Sequence, residues 1–430
     1  MTQTLETVSG APAATVVPPL AGPIIAAVGG VDTGSVLRAA RFLAPASAAG
    51  VTAVAVLTPL PVTIPGESEW MVPTGYEEER FADCTARLAE RLNAFGGAAP
   101  SWSRRVVRGS PAVALANVAR EEHASMLIVG IGRHRPLDRI FGAETALRAI
   151  QRATCPVLVV HPEFDGPFHD VVIATDFSAA SVAAARAALP MLGPEATIHI
   201  VHVWEPSAAL EGAGAAADEA YTKSLPESFR RFTELLALPT HVPVKTVVRE
   251  GKAAERVIDY AEMHHADLIT AGRHGRNLLQ RLVVGSQTTA LVRAAERSLL
   301  IAPEPTFAER DRLRLALTGL SESRDPTEWV AQLRGLSQRN HGRPTVIEVD
   351  DLMFSAQVVE SGYVLLGAAY DPKTRRVELT FGDAAHGARR VTRTMGVVES
   401  VTIETDASGR DAGVRISHGG GRTALTFLGE

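Results

Sequence analysis

The chain is poor in cysteine, has no excess of basic charge and contains no long apolar run. Of its 430 residues two are cysteines, Cys84 and Cys155. Two thiols cannot form a disulfide framework, and no CxxC or Cys/His zinc spacing occurs, so a reducing compartment is expected. Lys and Arg total 43 against 48 Asp and Glu, a net charge of −5. That balance argues against bulk electrostatic binding to nucleic acid or to an anionic membrane. No apolar stretch approaches the roughly 18 residues of a membrane span. The first twenty residues, MTQTLETVSGAPAATVVPPL, lack the basic start and apolar core of a signal peptide, and Glu6 sits where a basic residue would be wanted. They read as a disordered tail over residues 1–20, and a cytoplasmic location is expected.

What is present is a large apolar fraction, 46%, in a chain too long for one typical domain. Residues 169–304 alternate between β-branched apolar runs and helical spacing. The strands are DVVIAT, ATIHIVHVW, VPVKTVVRE, DLITAG and SLLIAP. Between them lie the helical segments SAASVAAARAALPML, ESFRRFTELLAL, KAAERVIDYAEMHHA and SQTTALVRAAE. Continuous apolar strands alternating with helices imply a parallel sheet covered on both faces. Residues 23–163 repeat the plan with PIIAAVGG, VTAVAVLT, WSRRVVRG, MLIVG and PVLVVHP. From His123 to about Val159 the two copies align without a gap at an offset of 142 residues. The domains are therefore set at 21–163 and 168–304.

After Pro305 the pattern changes. A charged linker, partly helical, is expected over 305–321. PTEWVAQLRGLSQRN reads as one amphipathic helix, followed by short alternating runs broken at Asp-Pro-Lys, Ser-Gly and Gly-Gly-Gly. A small α+β domain with an antiparallel sheet is expected over 322–430.

The chemistry concentrates in AGRHGRNLLQRLVVGSQTT, residues 271–289. Its glycines follow the fourth strand of the second copy, where backbone could approach a ligand closely. Gly285-Ser286 would open the next helix, whose free N–H groups and dipole attract anions. Arg273, His274, Arg276 and Arg281 add positive charge. Asp176, just after the first strand, could accept bonds from ribose hydroxyls or an adenine amine. Blander readings stay open. The glycines could be turn residues, Asp176 could cap the helix that starts near Ser178, and the arginines could form a solvated face. Adjacent His264 and His265 diverge on a helix, which disfavours a metal pair. No GxxxxGK[ST] occurs, and the glycines do not follow the first strand as in the dinucleotide fingerprint.

Gly272-Arg-His-Gly275, nine residues and then Gly285-Ser286 make the pattern G-x-x-G, nine, G-[ST]. With TDFS after the first strand and HVW closing the second, this resembles the universal stress protein family, across about residues 21–304. The resemblance implies two flavodoxin-like (adenine nucleotide α-hydrolase-like) five-stranded parallel sheets. It also implies ATP as ligand, with Mg²⁺ on the phosphates rather than in a protein cage. Residue by residue, it implies Ala174, Thr175 and Asp176 at the adenosine end and the Val203 backbone facing the adenine. Gly272, Arg273, Gly275, Gly285, Ser286, Gln287 and Thr288 would surround ribose and phosphates. Ala174 departs from the proline that ATP-binding members often carry. The family's pairing of fifth strands implies that PVLVV and SLLIA pair within the chain, with a homodimer left open. The tail diffusely resembles a small bacterial domain, through Tyr370-Asp371-Pro372 and His386, which implies no chemistry.

The first copy departs from the motif. At the same offset Gly275 becomes Arg133, Gly285 becomes Ala143 and Ser286 becomes Glu144, while Gly29 takes the place of Asp176. A carboxylate at a helix start opposes a phosphate. At 4 Å and an effective dielectric of 20, like unit charges repel by about 4 kcal/mol. The first copy is expected to be a structural partner that does not bind ATP. The leading function is therefore an ATP-dependent stress sensor or regulator acting through the second copy on an unidentified protein partner. The alternatives are a slow ATPase or phosphotransferase, or an interaction scaffold. No motif names a catalytic base beside the phosphates, so no catalytic or metal-ligating residue is assigned.

Overall fold

The computed structural model describes residues 3–5, 20–29, 33–59, 75–131, 136–204, 214–238, 242–273, 289–292, 296–318, 323, 325–351, 354–383, 390–405, 410–419 and 421–428. They fall into two compact units, Met1–Pro206 with Phe232–Glu304, and Ser207–Arg231 with Pro305–Glu430.

The first unit carries both copies. The first copy comprises β2 (Ile24–Ala27), α1 (Thr33–Leu43), β3 (Val51–Leu57), α2 (Tyr76–Phe95), β4 (Ser103–Arg108), α3 (Pro111–Glu121), β5 (Met126–Gly130), α4 (Pro136–Arg152) and β6 (Val157–Val160). The second comprises β7 (Phe168–Thr175), α5 (Ala179–Ala188), β8 (Leu192–Trp204), α6 (Gly214–Leu236, of which only the part from Phe232 onward belongs to this unit), β9 (Val244–Glu250), α7 (Ala253–Met263), β10 (Leu268–Gly272) and β11 (Ser298–Ala302). Within each copy the strands are parallel and run in the order third, second, first, fourth, fifth. The two fifth strands then pair antiparallel, Val157 with Ile301, Leu158 with Leu300 and Val159 with Leu299. This is the internal pairing that the fifth strands were expected to make. It joins the copies into one eleven-stranded sheet and removes two apolar edges at once. The apolar runs are continuous because helices cover both faces. Ile25, Leu127, Val157, Val172, Ile269 and Leu299 all lie in one core.

Backbone detail repeats with the sequence. Gly109 and Gly251 precede the third helix of each copy with φ of 137° and 122°. His123 and His265 end those helices at φ of 50° and 51°. Ala124 N–H donates to Ala119 O and Ala266 N–H to Ala261 O, each at 2.8 Å, which are Schellman-type closures. The offset of 142 thus extends back to Gly109 and Gly251. His265 is a helix-ending residue, and among the described residues no group of three or more His, Cys, Asp or Glu is arranged to hold a metal.

Two sequence expectations differ from the fold. Gln3–Leu5 form β1, antiparallel to Thr246–Val248 on the edge strand β9, where a disordered tail was expected. The rest of 1–19 lies outside the described residues. Glu144 was expected at a helix start, but α4 begins at Pro136, so Glu144 sits inside the helix and pairs with Arg148 at 3.0 Å. Proline suits a first helical turn, and Leu137–Ala146 holds a single glycine, Gly142, and no further proline. The helix therefore starts two turns early. Backbone N–H groups near Ala143 then bond within the helix and cannot meet a phosphate.

The second unit holds α8 (Phe307–Thr318) within the expected linker, and α9 (Pro326–Arg339). Its seven strands are β12 (Pro344–Asp351), β13 (Phe354–Asp371), β14 (Arg376–Asp383), β15 (Arg390–Met395), β16 (Val398–Thr405), β17 (Asp411–His418) and β18 (Gly421–Phe427). All pair antiparallel, in the order β15-β14-β13-β12-β18-β17-β16, which is the expected α+β architecture. Asp325 caps α9 through Thr327 N–H at 2.9 Å. The helix buries Trp329, Leu333 and Leu336 against Leu379, Phe381, Val401 and Ile416. The Tyr-Asp-Pro stretch is a hairpin turn. Asp371 accepts from Lys373 N–H at 2.9 Å and from the Thr374 hydroxyl at 2.7 Å, then pairs with Arg376 across the turn. His386 lies outside the described residues.

Candidate functional site

In each copy the chain reverses its direction of travel between the first and fourth strands. For the second copy these are β7 and β10, which pair with Ile173 opposite Thr270. Two residues further on each strand stand Thr175 and Gly272, the last residues of their strands. In doubly wound sheets a ligand crevice lies at such a point, beyond the carboxyl ends of the strands. Asp176 and Gly272, which the sequence reading placed at opposite ends of one ligand, flank this single point.

The loop after β7 is held by a closed set of hydrogen bonds. Phe177 N–H donates to Thr175 Oγ1 at 2.9 Å, and Ser178 N–H donates to Asp176 Oδ1 at 3.0 Å. Thr175 Oγ1 also bonds Ser181 Oγ at 3.0 Å. His202 Nδ1, on the neighbouring β8, lies 2.7 Å from the Thr175 carbonyl and therefore donates to it. These bonds hold Phe177 at a φ of 57°, a left-handed conformation that is strained for an aromatic residue. Its ring is buried between His202, at 4.7 Å between centroids, and Phe232 at 6.1 Å. Helix α5 is capped by Ser178, whose hydroxyl accepts from Ser181 N–H at 3.3 Å. Asp176 is thus not the helix cap. It closes an Asx turn through one oxygen and stays half-buried at the crevice mouth. Ala174 and Val203 are half-buried on the adjoining strand ends and pack against the core.

Gly272 has a packing reason of its own. A Cβ at this position would lie 2.8 Å from Ala180 Cβ and 3.0 Å from Ala180 C, in the first turn of α5. The strand end and the helix therefore approach closely only because residue 272 has no side chain. Arg273 N–H bonds the Ala302 carbonyl of β11 at 2.8 Å. Its guanidinium is turned away from the crevice into the first copy. There Nη1 donates to the carbonyls of Ile150, Gln151 and Ala153 at 3.0, 3.2 and 2.9 Å. Burial pushes the Arg273 pKa down from its ordinary value, with Glu304 opposing. The sequence reading grouped Arg273 with the phosphate residues, and its side chain serves another purpose. Gly275, Gly285, Ser286, Gln287 and Thr288 lie outside the described residues.

Across the chain, the profile of the universal stress protein family matches residues 22–161 and again 167–303. The chain belongs to the universal stress protein family. A universal stress protein of Mycobacterium tuberculosis is 26% identical over 210 residues, covering 47% of this chain and 69% of that protein. One from Methanocaldococcus jannaschii is 26% identical over 143 residues, covering 32% of this chain and 84% of its own. A solved universal stress protein from Archaeoglobus fulgidus covers 66% of this chain and 96% of its own at 14% identity, with a TM-score of 0.44. This tandem universal stress protein continues past its second repeat into a C-terminal region that the family profile does not match. No helix among the described residues is long and apolar enough to cross a membrane.

The sequence reading missed Phe177, Ser181 and His202 as builders of the site. Their signal was visible in the TDFS and HVW stretches, but the stretches alone do not tell that the histidine of one holds the threonine carbonyl of the other. By strand register Ala55 stands in the first repeat where His202 stands in the second. That repeat also has Val28 and Gly29 in place of Thr175 and Asp176, so it has none of the groups that build the loop.

Proposed function

We propose that the second repeat binds ATP at the crevice between β7 and β10, and that the protein acts as a nucleotide-dependent stress-response regulator. The observation that carries the reading is the convergence of Asp176 and the Gly272 motif start on one topological switch point. Asp176 would take the adenosine end beside Val203. Phosphates would meet backbone N–H groups from Gly275 to Thr288, with Mg²⁺ riding on the phosphates. The half-buried Asp176 carboxylate and the half-buried strand end at Gly272 support this reading. The first repeat serves as a structural partner, since α4 runs unbroken through the positions where phosphate donors would have to be free.

Calorimetric titration of ATP into the full chain and Gly275→Arg, with an overnight ADP assay, tests this. Binding near one site per chain, lost in the variant and with negligible ADP, is the expected outcome. Sustained ADP release would make the protein an enzyme. No binding by wild type would leave an interaction scaffold. Two nucleotides per chain would sink the assignment of the first repeat.

A further inference from the structure

Arg273 is the second residue of the G-x-x-G motif, yet its guanidinium reaches residues more than a hundred positions earlier. Ile150, Gln151 and Ala153 close the last turn of α4. The final carbonyls of a helix have no partner within it, and the dipole makes that end negative. A buried guanidinium supplies both hydrogens and charge to this end. The tie runs one way only. At the repeat offset Ile131 takes the place of Arg273, and it is buried and has no donor. Two identical copies would make the contact twice, so this tandem chain keeps one half of a symmetric pair. On its other side Arg273 is fixed by its own N–H on Ala302 and by Gly272 pressed against α5. The start of the glycine motif is thus clamped between its own repeat and the end of a helix from the other.

We infer that Arg273 is a positioning residue through which the first repeat controls the nucleotide site of the second. The α4 carboxyl end holds Arg273, and Arg273 sets where the motif leaves β10. Coupling of this kind is reciprocal, so ligand at the motif must also steady the end of α4. The ligand arm of this inference rests on the nucleotide reading above, while the tie itself does not.

The test is hydrogen exchange of the segment 147–155 in the full chain, with and without ATP, for wild type, Arg273→Met and Arg273→Lys, alongside ATP titration. Arg273→Met is expected to speed exchange of the segment about ten-fold without nucleotide and to weaken ATP about ten-fold. Arg273→Lys, which keeps the charge but not the fork, should fall between, and it carries the comparison if the methionine variant fails to fold. ATP should slow the segment in wild type and not in the variants. Unchanged exchange in both variants overturns the tie. Lost ATP binding with unchanged exchange makes Arg273 a direct ligand and also overturns it. Faster exchange with unchanged ATP affinity overturns the coupling. If wild type binds no ATP, the nucleotide reading falls, and exchange in the nucleotide-free variants still decides the tie.

Discussion

The two repeats share a backbone and differ in what that backbone presents. Their third helices end in the same closure, with His123 and His265 within 1° of each other in φ. Their sheets have one strand order. At the switch point the likeness stops. The second repeat has a threonine, an aspartate and a left-handed phenylalanine braced by His202. The first has Val28 and Gly29, and a Cβ added at Gly29 would meet nothing within 4 Å. The opposite side of the sheet has diverged as well. Thr52 donates to Glu122 at 2.9 Å in the first repeat, where by register and offset the second has His199 and His264. Duplication keeps what closes helices and pairs strands. It releases the groups at the switch point and those that titrate.

The strongest way to break this comparison is to put a carboxylate into the second repeat's glycine motif, one position before the place where the first repeat has Glu144. A carboxylate at Gly285→Glu is expected to weaken ATP by two to three orders of magnitude, in line with a repulsion of about 4 kcal/mol. Normal binding in a calorimeter would remove position 285 from the phosphate site. Next in size, Gly272→Val forces a side chain into Ala180 and is expected to cost about 1–3 kcal/mol in urea unfolding. An unchanged midpoint would mean that α5 shifts freely.

Smaller effects sharpen the contrast. Asp176→Gly, which copies Gly29, removes both the Asx turn and the proposed adenosine acceptor. A roughly ten-fold loss of ATP affinity, about 1.4 kcal/mol, is expected by titration. An Asp176→Asn variant that binds as wild type would show that the turn alone suffices. The pH dependence should also belong to the second repeat. His199 is 1% exposed and bonds Tyr260 at 2.9 Å. Burial, then Lys245 and His264, push its pKa below the ordinary value, while Asp170 at 3.5 Å pulls the other way. The folded state therefore holds His199 neutral, and the unfolded chain takes up more protons as pH falls below about 6.5. Stability should decline from there downward by at most about 1.4 kcal/mol per pH unit for this group. His199→Gln should flatten the slope in denaturant titrations between pH 6.5 and 5, and an undiminished slope would assign it to other groups.

Much of the fold is legible in the sequence. The ten strands of the two repeats, the helix at 326–339 and the antiparallel tail all announce themselves through apolar period and turn residues. These signals are local, because a strand buried on both faces has to be apolar along its whole length. The site was half legible. The spacing from Gly272 to Ser286 picks out the motif, and Asp176 marks the other end. Three facts escaped because each depends on a partner distant in sequence. Gly272 is small for the sake of Ala180, Phe177 is strained because His202 and Thr175 hold it, and Glu144 is helical because the chain from Pro136 onward can wind early.

The sequence by itself determined that one α/β unit is present twice, that the copies differ at the glycine motif, and that an unrelated antiparallel region follows. Only the tertiary structure decided that Gln3–Leu5 pair beside β9 and that Arg273 leaves its own motif to cap α4. Composition and period record what each residue needs from its nearest neighbours and from water. Which carbonyl a buried guanidinium meets depends on segments more than a hundred residues apart arriving at the same place, and no local pattern encodes that.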